Sequence, residues 1–149
     1  RPWSTTAPRS VDAVQGAAML VRRSAHEQVG LLDASYFMYS EEVDWCTRIK
    51  RAGWEIYWVP ASQIVHYGGQ SSKQAADAMF LQLYRGKIQY FHKHWGRFAT
   101  WAYKLVLVLA TLARLVLTPL IWLEPQGRRQ RHLVLARQYG LLLRALPSM

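Results

Sequence analysis

Short apolar and polar segments alternate along residues 1–69 and predict a mixture of short strands and short helices. Residues 17–21 form an uninterrupted apolar run, which is typical of a buried strand. Ser24 and Glu27 have the spacing of a capping box, and Gly30 stands where a short helix would end. This part of the chain therefore predicts helices and strands in succession.

A second helix is predicted over residues 41–52, because Ser40 is a suitable N-cap and Gly53 follows the last helical position. Residues 54–60 then carry bulky apolar side chains at alternate positions and end at a proline, so they predict a strand. Residues 62–67 predict a further short extended run.

From residue 72 onward the spacing of apolar residues becomes helical. It predicts helices over residues 72–95 and 98–123 and a basic, Leu-rich helix over 128–146. The middle helix is long enough to cross a bilayer, but it contains Lys104 and Arg114. Its polar residues follow one stripe, made of Lys93, Arg97, Thr100, Lys104, Thr111, Arg114 and Thr118. The stripe favours a helix that lies in the membrane interface, with a full span as the alternative.

Composition, charge and cysteine content add to this picture. With 51% hydrophobic and 19% charged residues among 149, the chain is not disordered as a whole. The net charge of +10 is uneven, because residues 97–149 carry eight basic residues and one acidic residue. Basic residues on apolar helices favour an anionic membrane surface over nucleic acid as a partner. The single cysteine, Cys46, excludes an internal disulfide.

Acidic residues are concentrated at the start of the second predicted helix, at Glu41, Glu42 and Asp44. They complement the helix dipole, and Asp44 has the spacing of an ion pair with Arg48. A carboxylate held at this point could also accept a proton from a hydroxyl group or bind a cation. His66 precedes two glycines and is either a structural histidine or a ligand. Spacing alone does not separate these alternatives.

Five motifs in their order of occurrence resemble family 2 glycosyltransferases, and within that family the rhamnosyltransferase-type enzymes of bacterial cell-surface polysaccharides. The resemblance covers about residues 11–115. The motifs lie at residues 14–23, 29–33, 37–48, 52–60 and 65–72, and an aromatic-rich helix at 90–96 continues the likeness.

This resemblance implies an α/β chain with a GT-A fold and inverting glycosyl transfer. In the family an acidic pair opens this helix, and its second member is the general base for the acceptor hydroxyl. That member corresponds to Glu42, and Glu41 would orient the site. Asp44 and Arg48 would shape the acceptor side or brace the helix. Gly16 corresponds to the glycine beside the donor sugar.

The resemblance also implies a divalent metal, Mg²⁺ or Mn²⁺, on the donor diphosphate, with His66 as one ligand. In the family a nucleotide-binding half with an Asp-rich metal motif precedes the region of Gly16, and no Asp-x-Asp occurs here. We therefore expect residues 1–72 to be the acceptor-side part of a GT-A domain and 73–149 to be a helical, basic, membrane-associated tail. We expect no activity without the nucleotide-binding half.

The expected function is transfer of a sugar such as rhamnose from a nucleotide-sugar donor to a cell-surface polysaccharide or lipid-linked acceptor. The expected location is the cytoplasmic face of the inner or plasma membrane, with no nucleic acid as partner. The alternative is a non-catalytic, membrane-associated binding module, in which the acidic residues only cap a helix.

Overall fold

The computed structural model describes residues 6–67, 75–119 and 126–149. The chain forms two compact units, Arg1–Ser71 and Ser72–Met149. The sequence motif at 65–72 lies partly outside the described residues, and the expected boundary at residue 72 lies outside them.

The first unit contains two helices, α1 (Arg23–Val29) and α2 (Glu41–Arg51). Gly30 and Gly53 follow their C-terminal ends with φ of 77° and 90°, a conformation that favours glycine. The predicted capping box at Ser24 is wrong, because α1 already begins at Arg23 and has no side-chain cap. An ion pair of 2.8 Å joins Arg23 to Glu27 on its exposed surface instead.

Strands in the first unit are short. β1 (Arg9–Ser10) pairs antiparallel with β2 (Tyr57–Trp58), and the Val11 amide donates to the Ile56 carbonyl at 2.9 Å. The alternation of residues 54–60 is confirmed, since Ile56 is buried and the flanking Glu55 and Tyr57 are exposed. Within the alternating run, however, only Tyr57–Trp58 form a ladder.

The strand predicted at residues 17–21 is absent. This segment has no ladder partner in the described part of the chain, and Leu20 is fully exposed. An apolar run becomes a strand only when another strand satisfies its backbone groups. The expected α/β organisation is therefore met in part, because helix and strand are both present but helix predominates.

The second unit consists of α3 (Ala76–Leu117), α4 (Gln126–Ala145) and a final 3₁₀ turn at Leu146–Ser148. Gly96 interrupts α3 with φ 76° and ψ −171°, so we divide this helix into a first arm, residues 76–95, and a second arm, residues 97–117. The arms fold back on each other, since the Phe91 and Tyr103 rings stack with centroids 4.5 Å apart.

Both arms and α4 contribute to one core, in which Ile88, Leu107 and Leu142 are buried. At one end of this core, Asp77 accepts hydrogen bonds from Gln138 at 3.2 Å and pairs with Arg137 at 2.9 Å. Among the described helices, α3 alone is long and apolar enough to cross a bilayer by length and composition.

Candidate functional site

The acidic helix start is preceded by an unusual backbone conformation. Tyr39 and Ser40 both lie in the left-handed region, with φ of 69° and 74°. Non-glycine residues rarely adopt this region, and such strain is concentrated at functional sites. Ser40 occupies the N-cap position that the sequence predicts, but its hydroxyl forms no capping hydrogen bond. Glu41 and Glu42 directly follow these two strained residues and begin α2.

The segment from Val11 to Gly16 runs antiparallel along α2. Asp12 pairs with Lys50 at 2.7 Å at one end of this segment, and a Cβ added to Gly16 would lie 3.4 Å from the Cβ of Glu42 at the other. The distance from Asp12 to Gly16 along an extended chain matches the distance from Lys50 to Glu42 along the helix. Four residues advance a helix by about 6 Å, and two residues advance an extended chain by nearly the same distance. The structure therefore brings together Gly16 and Glu42, which are both candidate site residues.

Cys46 lies one helical turn beyond Glu42 and is completely buried. Burial raises the pKa of its thiol, and the nearby Glu42 carboxylate acts in the same direction. Cys46 packs with Ile49 and Ile56 in the core of the first unit. It is therefore a structural cysteine with a low thiolate fraction, and it supports the helix behind the acidic pair.

Each member of the acidic pair has one buried oxygen without a partner. Oε2 of Glu41 and Oε2 of Glu42 are enclosed and accept no hydrogen bond in the structure. A buried acceptor left unsatisfied costs about 1–3 kcal/mol, so native proteins satisfy nearly all of them. Two buried acceptors without donors therefore lie at the start of α2.

Asp44 and Arg48 form a brace behind the acidic pair. The Asp44 carboxylate is fully buried and accepts from Nε of Arg48 at 2.9 Å. The Arg48 guanidinium also donates to the backbone carbonyls of Val29 and Leu31, and the Trp45 indole donates to the carbonyl between them, that of Gly30, at 2.8 Å. Three consecutive carbonyls, beginning with that of the last residue of α1, are thus tied to one face of α2.

His66 is exposed, and it follows residues 62–65 without regular secondary structure. Across the described residues, no three His, Cys, Asp or Glu side chains are grouped so that they could hold a metal ion. These residues do not by themselves fit the expected divalent cation. The two glycines that follow His66 lie outside the described residues.

Sequence reasoning therefore selected residues that the structure groups in two places. Glu41, Glu42 and Gly16 lie at the N-terminal end of α2. Asp44 pairs with Arg48, and Arg48 binds carbonyls at the C-terminal end of α1. It missed the antiparallel course of residues 11–16 along α2. The signal was present in the opposite charges of Asp12 and Lys50, but their separation of 38 positions gave no reason to pair them.

The comparison with known families decides the classification. A profile described as glycosyltransferase-like family 2 matches residues 3–85, which include all six candidate site residues. The chain belongs to this family. No solved structure matches the chain.

Related curated proteins are glycosyltransferases by name. An N-acetylglucosaminyl-diphospho-decaprenol L-rhamnosyltransferase of Mycobacterium tuberculosis is 39% identical over 79 residues, covering 48% of this chain and 26% of that protein. The rhamnosyltransferase WbbL of Escherichia coli is 37% identical over 70 residues, covering 47% of this chain and 26% of that protein. A low-salt glycan biosynthesis hexosyltransferase of Haloferax volcanii is 42% identical over 43 residues, covering 29% of this chain and 14% of that protein. The chain spans about a quarter of the length of the rhamnosyltransferases that it matches.

Substitution of Gly16 tests its proximity to Glu42. We expect Gly16→Ala to fold normally, because the added Cβ would make ordinary contacts of 3.4–4.0 Å with the Glu42 side chain and no positive φ opposes it. Gly16→Val adds two more methyl groups and should displace Glu42, lowering glycosyl transfer by about tenfold or more. Thermal unfolding and transfer rates measure the two effects. Equal activity in both variants would contradict this placement of Gly16.

Proposed function

We propose that this chain supplies the acceptor side of an inverting glycosyltransferase that moves a sugar, with rhamnose as the first candidate, from a nucleotide-sugar donor to a lipid-linked or polysaccharide acceptor. Membership of the glycosyltransferase family supports sugar transfer in general. The names of the mycobacterial and Escherichia coli relatives support rhamnose, and the mycobacterial name supports an acceptor on a lipid diphosphate.

The unsatisfied carboxylate oxygens of Glu41 and Glu42 are the observation that carries the proposal. Both residues lie in the first turn of α2, and the Glu42 side chain packs beside the bare backbone of Gly16. An acceptor sugar at this position would donate hydroxyl groups to these oxygens, which satisfies groups that would otherwise be buried at a cost. The brace formed by Asp44 and Arg48 limits movement of the helix that carries them.

In the proposed reaction, Glu42 is the general base. The acceptor hydroxyl transfers its proton to the Glu42 carboxylate as its oxygen forms a bond to the anomeric carbon of the donor sugar. The bond between that carbon and the diphosphate breaks, and the nucleotide diphosphate leaves with the electron pair. Glu41 holds a neighbouring hydroxyl and orients the nucleophile. Attack from the side opposite the leaving group inverts the anomeric configuration.

A divalent cation would neutralise the leaving diphosphate. Exposed His66 can supply one nitrogen ligand, but the remaining ligands would have to come from outside the described residues. We propose His66 as a contributor to such a site, and no step above depends on it. We propose the cytoplasmic face of the membrane as the location, which the lipid-linked acceptor in the mycobacterial relative's name supports.

A transfer assay tests the proposed function. Membranes that contain the protein in its natural context are incubated with labelled nucleotide sugars and a lipid-diphosphate acceptor. We expect label to appear in the lipid fraction with one donor, and we expect product with inverted anomeric configuration by NMR. A product of retained configuration, or hydrolysis of the donor without transfer, would contradict the proposal.

A further inference from the structure

The second arm of α3 exposes a continuous apolar stripe. Its members recur at helical spacing of three and four residues and are Phe98, Trp101, Leu105, Leu109, Leu112 and Val116. Phe98 is 88% exposed, Trp101 73% and Val116 75%. Water-soluble monomers expose single apolar side chains commonly, but large contiguous patches mark contact with a protein or a membrane.

Two threonines of the same helix face the interior of the second unit, whereas Arg97 and Arg114 are exposed. Thr111 is 99% buried and Thr100 is also buried. Lys104 donates to the carbonyl of Met149, and the guanidinium of Arg114 lies 5.2 Å from the centroid of the Tyr139 ring. The second arm thus buries small polar side chains while it exposes large apolar ones, unlike a helix on a water-soluble bundle.

The first arm of α3 and helix α4 also expose charged side chains. Their exposed residues include the basic side chains Arg85, Arg131, Arg137 and Arg144. Residues 97–149 carry a net charge of +7. This charge opposes pairing with a second copy of the chain and favours a surface with anionic groups.

We propose that the apolar stripe is a membrane-docking surface, which lies in the plane of an anionic bilayer with its side chains in the acyl region. The second arm is about 30 Å long at 1.5 Å per residue, which would also fit a span. A span would place the rest of the bundle in hydrocarbon, where exposed arginines such as Arg85 and Arg131 are strongly disfavoured. Lying flat, the bundle keeps these residues in water and at the headgroups. This inference stands independently of the proposed function.

Vesicle flotation of the whole 149-residue chain tests the docking surface. Wild type should bind vesicles of equal parts phosphatidylglycerol and phosphatidylcholine at least about tenfold better than phosphatidylcholine alone. Leu105→Glu/Leu109→Glu should lower binding at least about 100-fold, because two apolar anchors are lost and two charges enter. Both leucines are exposed, so the thermal unfolding curve should not change.

The matched control is Ala78→Glu/Gln130→Glu, which makes the same change in net charge at exposed positions on the first arm and on α4. This control should lose only the electrostatic part of vesicle binding, and its loss should be clearly smaller than that of the stripe variant. Equal losses in the two variants would overturn the proposal, as would failure of wild type to bind anionic vesicles. A dimer in solution that the stripe variant abolishes would assign the stripe to a second copy and would also overturn it.

A second experiment distinguishes a flat helix from a span. Arg97→Cys and Leu117→Cys place a thiol at each end of the second arm, both at exposed positions, while Cys46 is buried and remains unreactive. A membrane-impermeant thiol reagent added outside the vesicles should label both variants if the helix lies flat. Labelling of one end alone would show a span and overturn the proposal.

Discussion

Glu42→Gln should reduce glycosyl transfer by about 10²- to 10⁴-fold, the range by which a positioned general base accelerates a reaction. Glutamine keeps the size and the hydrogen-bonding capacity of the side chain but accepts no proton from the acceptor hydroxyl. Binding of the donor and folding should change little, because Glu42 is only partly buried and forms no ion pair in the described structure. The loss should appear in kcat rather than in KM for the donor.

The matched control is Glu27→Gln, which removes the same charge from an exposed glutamate that pairs with Arg23 on the surface of α1. It should transfer sugar at the rate of wild type. Glu41→Gln should have an intermediate effect, since Glu41 is proposed to orient the acceptor rather than accept its proton. An active Glu42→Gln variant would remove Glu42 from the role of base and leave the acidic residues with the role of stabilising the start of the helix.

Arg48→Met should destabilise the first unit by about 3 kcal/mol or more. Methionine retains the apolar stem but removes the positive charge that compensates the fully buried Asp44, and loss of one partner of such a pair is strongly destabilising. It also removes the donors to the carbonyls of Val29 and Leu31. The stability of Arg48→Lys should fall between that of wild type and that of Arg48→Met, because lysine keeps the charge but not the planar set of donors.

The double variant Asp44→Asn/Arg48→Met should recover part of the stability that Arg48→Met loses, since no buried charge then lacks its arginine partner. Lys50→Met is the control in the same turn of α2, where the salt bridge to Asp12 is exposed, and its effect should be much smaller. Alkylation of Cys46 across a urea titration reports unfolding of the first unit alone, because Cys46 is the only cysteine and is buried there. Equal losses from Arg48→Met and Lys50→Met would contradict the brace.

The helices could be predicted from the sequence because their signals are local. The N-cap position of Ser40, the acidic first turn and Gly53 define α2 within one residue of the observed bounds. The spacing of apolar residues likewise separated the two arms of α3 on either side of Gly96. The pairing of Asp44 with Arg48 followed from their separation of four residues in a helix.

The strands and the polar stripe show where local signals fail. Residues 17–21 have the composition of a strand, but a strand requires a partner that no local pattern specifies. The predicted polar stripe is met only in part, because Lys93 lies on the first arm, and Arg97 and Arg114 are exposed while Thr100 and Thr111 are buried. Its direction could not be read from periodicity, because an inward and an outward polar face have the same spacing.

The sequence by itself determined the family, the helix positions, the acidic start of α2 and the uneven charge, since each depends on residue identity and short spacing. The tertiary structure decided which of these features meet. It placed the backbone of Gly16 against Glu42, tied α2 to the turn after α1, and turned Thr111 inward while Phe98 and Trp101 faced outward. These contacts join residues far apart in the chain, and their energies depend on burial and on the partners present, which only the folded chain provides.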